Sequence, residues 1–315
     1  MNRQPDPPTR PAADPARAGL AFGLFAYSLW GVLPIYFKQL AGVSPIDIVA
    51  HRIIWSLFFL LLLLAATRSW SQIHAALRHR RTLGLLLATS LLIAINWLLY
   101  VYAVTSGHIL AGSLGYYLNP LMNILLGRFI LKERLTPLQW MAVGIAAAGV
   151  SVLAAGAGTT LWISLTLCVT FSTYGLLRKI VAVEALAGLT IETAVLFPVA
   201  LGWLALGLAA GRPVFGSSDQ ETWLLVLAGI VSTTPLLLFT AAARRLRYST
   251  LGMLQFLAPT LQFFLAVVLY GEQFTRAHAI AFGAIWMALA LYVASLVGDL
   301  RAQRKAAAAP DLCEP

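Results

Sequence analysis

Charge is what this chain has least of. Only 11% of its 315 residues are charged, against about 25% in a soluble domain. From Leu135 to Leu177 there is no Asp, Glu, Lys or Arg in 43 consecutive residues. Such a run cannot be a soluble surface, and it holds two spans of about 20 residues each. Cysteine is nearly absent as well. Cys168 and Cys313 alone offer neither a disulfide framework nor a thiolate metal cluster. The chain also lacks a zinc-type histidine pair and a phosphate-binding loop. These gaps argue against an enzyme and against a bound cofactor or metal. Ala111-Gly112-Ser113-Leu114-Gly115 loosely mimics a nucleophile elbow beside His108. Small residues at that spacing more often mean close helix packing.

What is present is apolar. Hydrophobic residues make up 60% of the chain, and the mean hydropathy is +0.81. In hydrocarbon the backbone must satisfy its own hydrogen bonds, which leaves helices or closed barrels. Continuous apolar runs exclude the barrel. Ten spans are predicted, near residues 19–37, 46–66, 82–104, 109–131, 136–156, 160–177, 189–209, 222–243, 248–270 and 275–297. Residues 1–18 read as a disordered tail. The first span lacks a small-residue cleavage site and reads as uncleaved.

The net charge of +10 does not point to nucleic acid, because the basic residues sit at span ends. With the N-terminus in the cytoplasm, 18 of the 22 Lys and Arg fall on that side. Lys38, Arg212 and Arg276 fall on the other, and Arg52 lies within a span. The asymmetry predicts both termini in the cytoplasm.

The second half repeats the first at an offset of 139 residues. Pro120, Glu133, Thr136 and Gly144 recur as Pro259, Glu272, Thr275 and Gly283. Leu98, Ala103, Leu118 and Leu126 recur as Leu237, Ala242, Leu257 and Leu265. Five spans is an odd number, so the second copy enters from the opposite face. The expected fold is an all-α membrane protein: ten transmembrane helices as two inverted five-helix repeats around a central cavity. The first repeat is expected over 19–156, the second over 157–298 and a cytoplasmic tail over 299–315.

Polar residues inside spans are the candidate site. Arg52 lies roughly 10 Å along the second span, after a helix start at Ser44-Pro45-Ile46-Asp47 that reads as a capping box. An ionisable group at that depth is a functional-site hypothesis, with snorkelling as the alternative. Arg52 would attract an anionic group. His51 and Glu192 are candidates for coupling, and depth argues against an Arg52–Glu192 pair. Asn96, Trp97, Tyr100, Tyr116, Asn119, Asn123, Gln255 and Gln262 are the candidate cavity lining. The alternative for the amides is hydrogen-bonded glue between helices. Pro120 and Pro259 suggest paired bends. Glu133 and Glu272 read as structural, each three residues before a helix-capping Thr.

Three motifs carry a resemblance. They are His51-Arg52-Ile53-Ile54-Trp55-Ser56, Asn96-Trp97-Leu98-Leu99-Tyr100 and Ser113-Leu114-Gly115-Tyr116-Tyr117-Leu118-Asn119-Pro120-Leu121. With Tyr174 to Lys179 and Leu254 to Gln262, the chain resembles the RarD branch of the EamA transporters over roughly residues 19–300. The resemblance implies a ten-helix inner-membrane permease of the drug/metabolite transporter superfamily, with the fifth and tenth helices outside a basket-like cavity. One departure is Ala111, where this family often carries an acidic residue. The expected function is export of a small metabolite or drug-like molecule by alternating access. A passive channel and a non-transporting sensor or enzyme are the rivals. The expected partners are a small-molecule substrate and the lipid bilayer, with a proton as candidate coupling ion. The small residues Gly144, Ala148, Gly149, Gly283, Ala284 and Ala288 suit either a monomer or a homodimer.

Overall fold

The computed structural model describes residues 15–40, 42–105, 109–155, 161–212, 215–216, 218–269 and 276–308. They form helices and connections, with no strand among the described residues. The first five spans are α1 (Pro15–Lys38), α2 (Pro45–Ala66), α4 (Arg80–Thr105), α5 (Ile109–Phe129) and α6 (Pro137–Ala154). The second five are α7 (Leu161–Ile180), α8 (Ala185–Ala209), α9 (Asp219–Arg245), a broken span, and α12 (Arg276–Ala308). Nine of these, the broken span counted as one, are long and apolar enough to cross a membrane. The tenth is α5, 21 residues long, with Tyr116, Tyr117, Asn119, Pro120 and Asn123 along it.

Two departures from the expected elements have local causes. Residues read as a loop contain α3 (Trp70–Arg78), a short helix. Its Ile73 and Ala76 pack against Leu86, Val183 and Ile191, which gives this charged stretch one apolar face to bury. The ninth span is α10 (Tyr248–Gln255), a break at Phe256, α11 (Leu257–Phe264) and a π-helical turn at Leu265–Leu269. Pro259 has no N–H to give the Gln255 carbonyl four residues back, so the ladder parts there. By contrast Pro34, Pro120, Pro198 and Pro235 sit inside unbroken helices.

Capping was half legible. Thr136 and Gln139 form a reciprocal capping box at α6, with Pro137 at its start. Ser44 and Pro45 do open α2, but the Ser44 side chain makes no capping bond. Asp47 is drawn elsewhere: it accepts from Trp203 Nε1 at 2.7 Å and lies 3.9 Å from Arg212. Thr275 and Glu272 lie outside the described residues.

The packing fits two inverted repeats. Exchanging the halves maps α1 on α9 onto α7 on α4, and α1 on α11 onto α7 on α5; all four contacts are present. Three pairs map onto themselves and are present too: α2 with α8, α5 with α10, and α6 with α12. At the last, a Cβ on Gly149 would lie 2.7 Å from Ala284 Cβ, so part of the small-residue stripe packs within the chain. Gly144 and Gly283 face open space.

The tightest crossing joins α2 to α9. A Cβ on Gly229 would sit on the Trp55 main chain and 2.6 Å from the Ser56 nitrogen. Ser56 Oγ donates to the Gly229 carbonyl at 3.3 Å across the same contact. Gly229→Leu therefore overpacks the joint between halves, at a cost of about 1–3 kcal/mol. In detergent its Tm should fall by several degrees, whereas Gly144→Leu should leave Tm unchanged or raise it.

Candidate functional site

The two halves meet over a cluster of rings. Trp30 of α1, Phe171 of α7 and Phe239 of α9 pack with centroids 5.6–6.0 Å apart. Tyr116 of α5 lies edge-on to Phe171 at 6.4 Å and to Tyr100 of α4 at 5.6 Å. Five helices from both repeats thus supply one aromatic wall. Rings prefer such edge-to-face contacts because each carries a negative face and a positive rim.

Arg52 lies beside this wall, near Tyr116. Its guanidinium carbon lies 3.9 Å from the centre of the Trp97 ring, a cation–π contact. The phenols of Tyr116 and Tyr174 are within its electrostatic reach. Among the described residues no carboxylate bonds or pairs with it. Asp47 faces Arg212, Glu133 faces Arg247, Glu184 faces Arg244 and Glu192 faces Arg178. Arg52, Trp97 and Tyr116 are half-buried and Tyr100 is exposed.

Glu192 lies in a separate, sealed site. Its Oε1 is 3.5 Å from Arg178 Nη1, and the two side chains are 2% and 0% exposed. Thr89 Oγ1 donates to Oε1 at 2.6 Å, and Tyr174 OH donates to Oε2 at 3.2 Å. Arg178 also donates to the Ala185 carbonyl at 3.3 Å. Gly188 is what lets the guanidinium in, since a Cβ there would collide with Nη1. The network ties α4 of one half to α7 and α8 of the other. Arg178 and Tyr174 were not expected inside it. The signal was there: Tyr174 and Arg178 are four apart, as are Gly188 and Glu192, so two matching helix stripes face each other across a short hairpin.

The amides bond mostly between helices. Asn96 Nδ2 donates to the Leu167 carbonyl and to Thr170 Oγ1, each at 2.9 Å, tying α4 to α7. Asn119, its amide nitrogen turned toward α7, donates to Gly115 at 3.2 Å and Cys168 at 3.3 Å, both carbonyls. Asn123 Nδ2 donates to Gln255 Oε1 at 2.7 Å, joining α5 to α10. Gln262, exposed, donates to the Trp30 carbonyl at 3.0 Å. His51 is buried with its ring 5.1 Å from Phe215, beside an apolar groove of about 310 Å³ on the flank of the bundle. His108 and the side chains of Ala111 and Ser113 lie outside the described residues.

One end of the bundle is clasped. Glu133, in the α5–α6 connection, accepts from the Tyr248 and Ser249 main-chain N–H groups at 2.5 and 2.9 Å and from Ser249 Oγ at 2.6 Å. These are first-turn donors of α10 that have no partner within their own helix. Arg247, 4.0 Å from Glu133, also donates to the Arg134 carbonyl. From this clasp α5 runs closely along α10, but it has at most marginal contact with α11. Spans four and nine therefore meet at the arginine-rich end and part toward the other.

Removing one partner of the sealed pair isolates a buried charge. Glu192→Gln should destabilise the fold by roughly 3–5 kcal/mol, while Arg178→Met/Glu192→Leu should recover most of that loss. Tm and the yield of monodisperse protein in detergent check both.

Comparison with known proteins agrees with this architecture. The EamA-like transporter family model matches residues 17–155. An uncharacterized transporter of Vibrio cholerae is 43% identical over 90% of this chain and 94% of its own length. Protein RarD of Escherichia coli is 42% identical over 93% of this chain and 99% of its own. A crystal structure 22% identical in sequence shares the fold, with a TM-score of 0.68 over 88% of this chain and 96% of that one. Identity of this order along nearly the whole length, on a bundle of membrane-spanning helices, places the chain in the RarD branch of the EamA-like transporter family.

Proposed function

We propose that this protein is a secondary transporter of the inner membrane that exports a small molecule by alternating access, with both termini in the cytoplasm. The moving parts in this reading are the halves 19–156 and 157–298. The substrate site is the aromatic wall beside Arg52, lined by Trp97, Tyr100 and Tyr116.

The observation that carries the reading is the uneven meeting of spans four and nine. They touch along α10, near Arg244, Arg245 and Arg247, and separate along α11. With the basic end in the cytoplasm, the site is shut from inside and open outward. An inverted repeat implies a second arrangement in which the halves exchange roles. At the offset of 139, Asn123 corresponds to Gln262 and Gln255 to Tyr116. The closed pair here is Asn123–Gln255. Its counterpart, Tyr116 with Gln262, is engaged elsewhere, on Tyr100 and on the Trp30 carbonyl. In the inward-facing form the second pair closes and the first opens.

Cysteine pairs test the cycle without a known substrate. In a Cys168→Ser/Cys313→Ser background, both Asn123→Cys/Gln255→Cys and Tyr116→Cys/Gln262→Cys should crosslink in native membranes. Trapping one pair should deny the other to crosslinking. A static channel would crosslink only Asn123→Cys/Gln255→Cys, and that result would discard the carrier.

Export has its own readout. Spent medium from cells carrying the wild type should contain a compound that is several-fold scarcer with an equally abundant Tyr116→Ala variant. Depletion in place of enrichment would make the protein an importer.

A further inference from the structure

The charges around the proposed site do not balance, and the imbalance points to a class of cargo. Arg52 lies seven residues inside α2, about 10 Å from its start. Its guanidinium lies on the face of Trp97, and the other groups near it are the neutral phenols of Tyr116 and Tyr174. A ring quadrupole offsets only part of the cost of taking a cation from water. Each described carboxylate near a membrane-embedded cation is already engaged. Glu192 is the one deep inside, and it accepts from Thr89 and Tyr174 while facing Arg178. Among the described residues the site thus offers a cation and flat apolar surfaces, with no carboxylate paired to the cation or placed to receive an ammonium group.

We infer that the cargo is a planar organic monoanion, its carboxylate on Arg52 and its apolar body against Tyr100 and Tyr116. This rests on the carrier reading above and names the substrate class for that same site. A zwitterion of equal size would leave its ammonium without a counter-charge, and a cation would meet Arg52 directly. A monoanion neutralises the guanidinium, so the loaded site carries no net charge through the apolar part of the cycle. The chemistry also supplies a driving force. One negative charge leaving a cell that is negative inside is favoured about 50-fold in concentration ratio per 100 mV. No proton needs to travel with it.

The test uses the full-length protein in detergent and four probes at matched ionic strength: benzoate, its neutral isostere benzamide, benzylamine, and L-phenylalanine as the zwitterion. Benzoate should raise Tm saturably, and the other three should not at equal concentration. Arg52→Gln should weaken the benzoate effect by about tenfold or more, the size of a lost hydrogen bond to a charged group. Arg52→Lys should keep part of it. Tm of each variant without ligand reports that it is folded. No shift with benzoate, an equal shift with benzamide, benzylamine or L-phenylalanine, or a benzoate shift that survives Arg52→Gln would overturn the inference. The carrier reading is judged apart from this. If both cysteine pairs crosslink and benzoate shows no preference, the cycle stands and the cargo class falls. If benzoate binds through Arg52 and only one pair crosslinks, the site stands and the cycle falls.

Discussion

A bilayer core offers no hydrogen bonds, so the interior of this bundle is arranged by where its polar side chains find partners. Asn96, Asn119 and Asn123 each reach a neighbouring helix. Thr89, Tyr174 and Arg178 surround Glu192. The bonds of Asn96 to α7, Asn123 to Gln255 and Thr89 to Glu192 cross from one half to the other. Polar groups that would be expensive alone thereby fix which helix faces which. Arg52 is the exception, and its exceptional position is what separates the proposed site from the scaffold.

The same rule explains why the joints differ along the membrane normal. Glu133 brings a carboxylate to the start of α10, where unpaired N–H groups and the helix dipole favour negative charge. That clasp, with Asn123 on Gln255, holds α5 and α10 together at the arginine-rich end. Beyond Phe256 the helix breaks, and α11 leans on α1. The bend that Pro259 imposes lets one span serve two neighbours at two depths.

Much of this was legible in the sequence, and the rest was hidden for identifiable reasons. The all-helical, multi-span character follows from runs of apolar residues, and the packing fits the repeat that the offset suggests; both signals survive without three-dimensional information. The short helix α3 was hidden because its apolar face is only a few residues long within a charged stretch. The break at Phe256 was half visible in Pro259. Asn96 was legible as a polar group in a span, but whether it faces a cavity or Thr170 depends on helix rotation, which composition does not encode. Arg178 was counted with the basic residues at a span end. Only the packing of Gly188 against it reveals that its side chain turns inward and is fully buried.

Residues that match across the repeat and residues that differ divide the labour. Pro120 and Pro259 match, as do the leucines that pack the spans. Two copies of one scaffold, inverted, have two equivalent arrangements, which is the requirement for a site that opens to either side. The proposed site sits where the copies differ. Arg52 corresponds to Ile191, Trp97 to Leu236, Tyr100 to Phe239 and Asn96 to Pro235. The cation, the ring that holds it and the phenol beside it therefore belong to one half only. A symmetric site would carry two such arginines facing each other, which no single monoanion could neutralise. In the proposed carrier, keeping the charge in one copy and an apolar side chain in the other would leave one binding orientation while preserving the symmetry that motion needs.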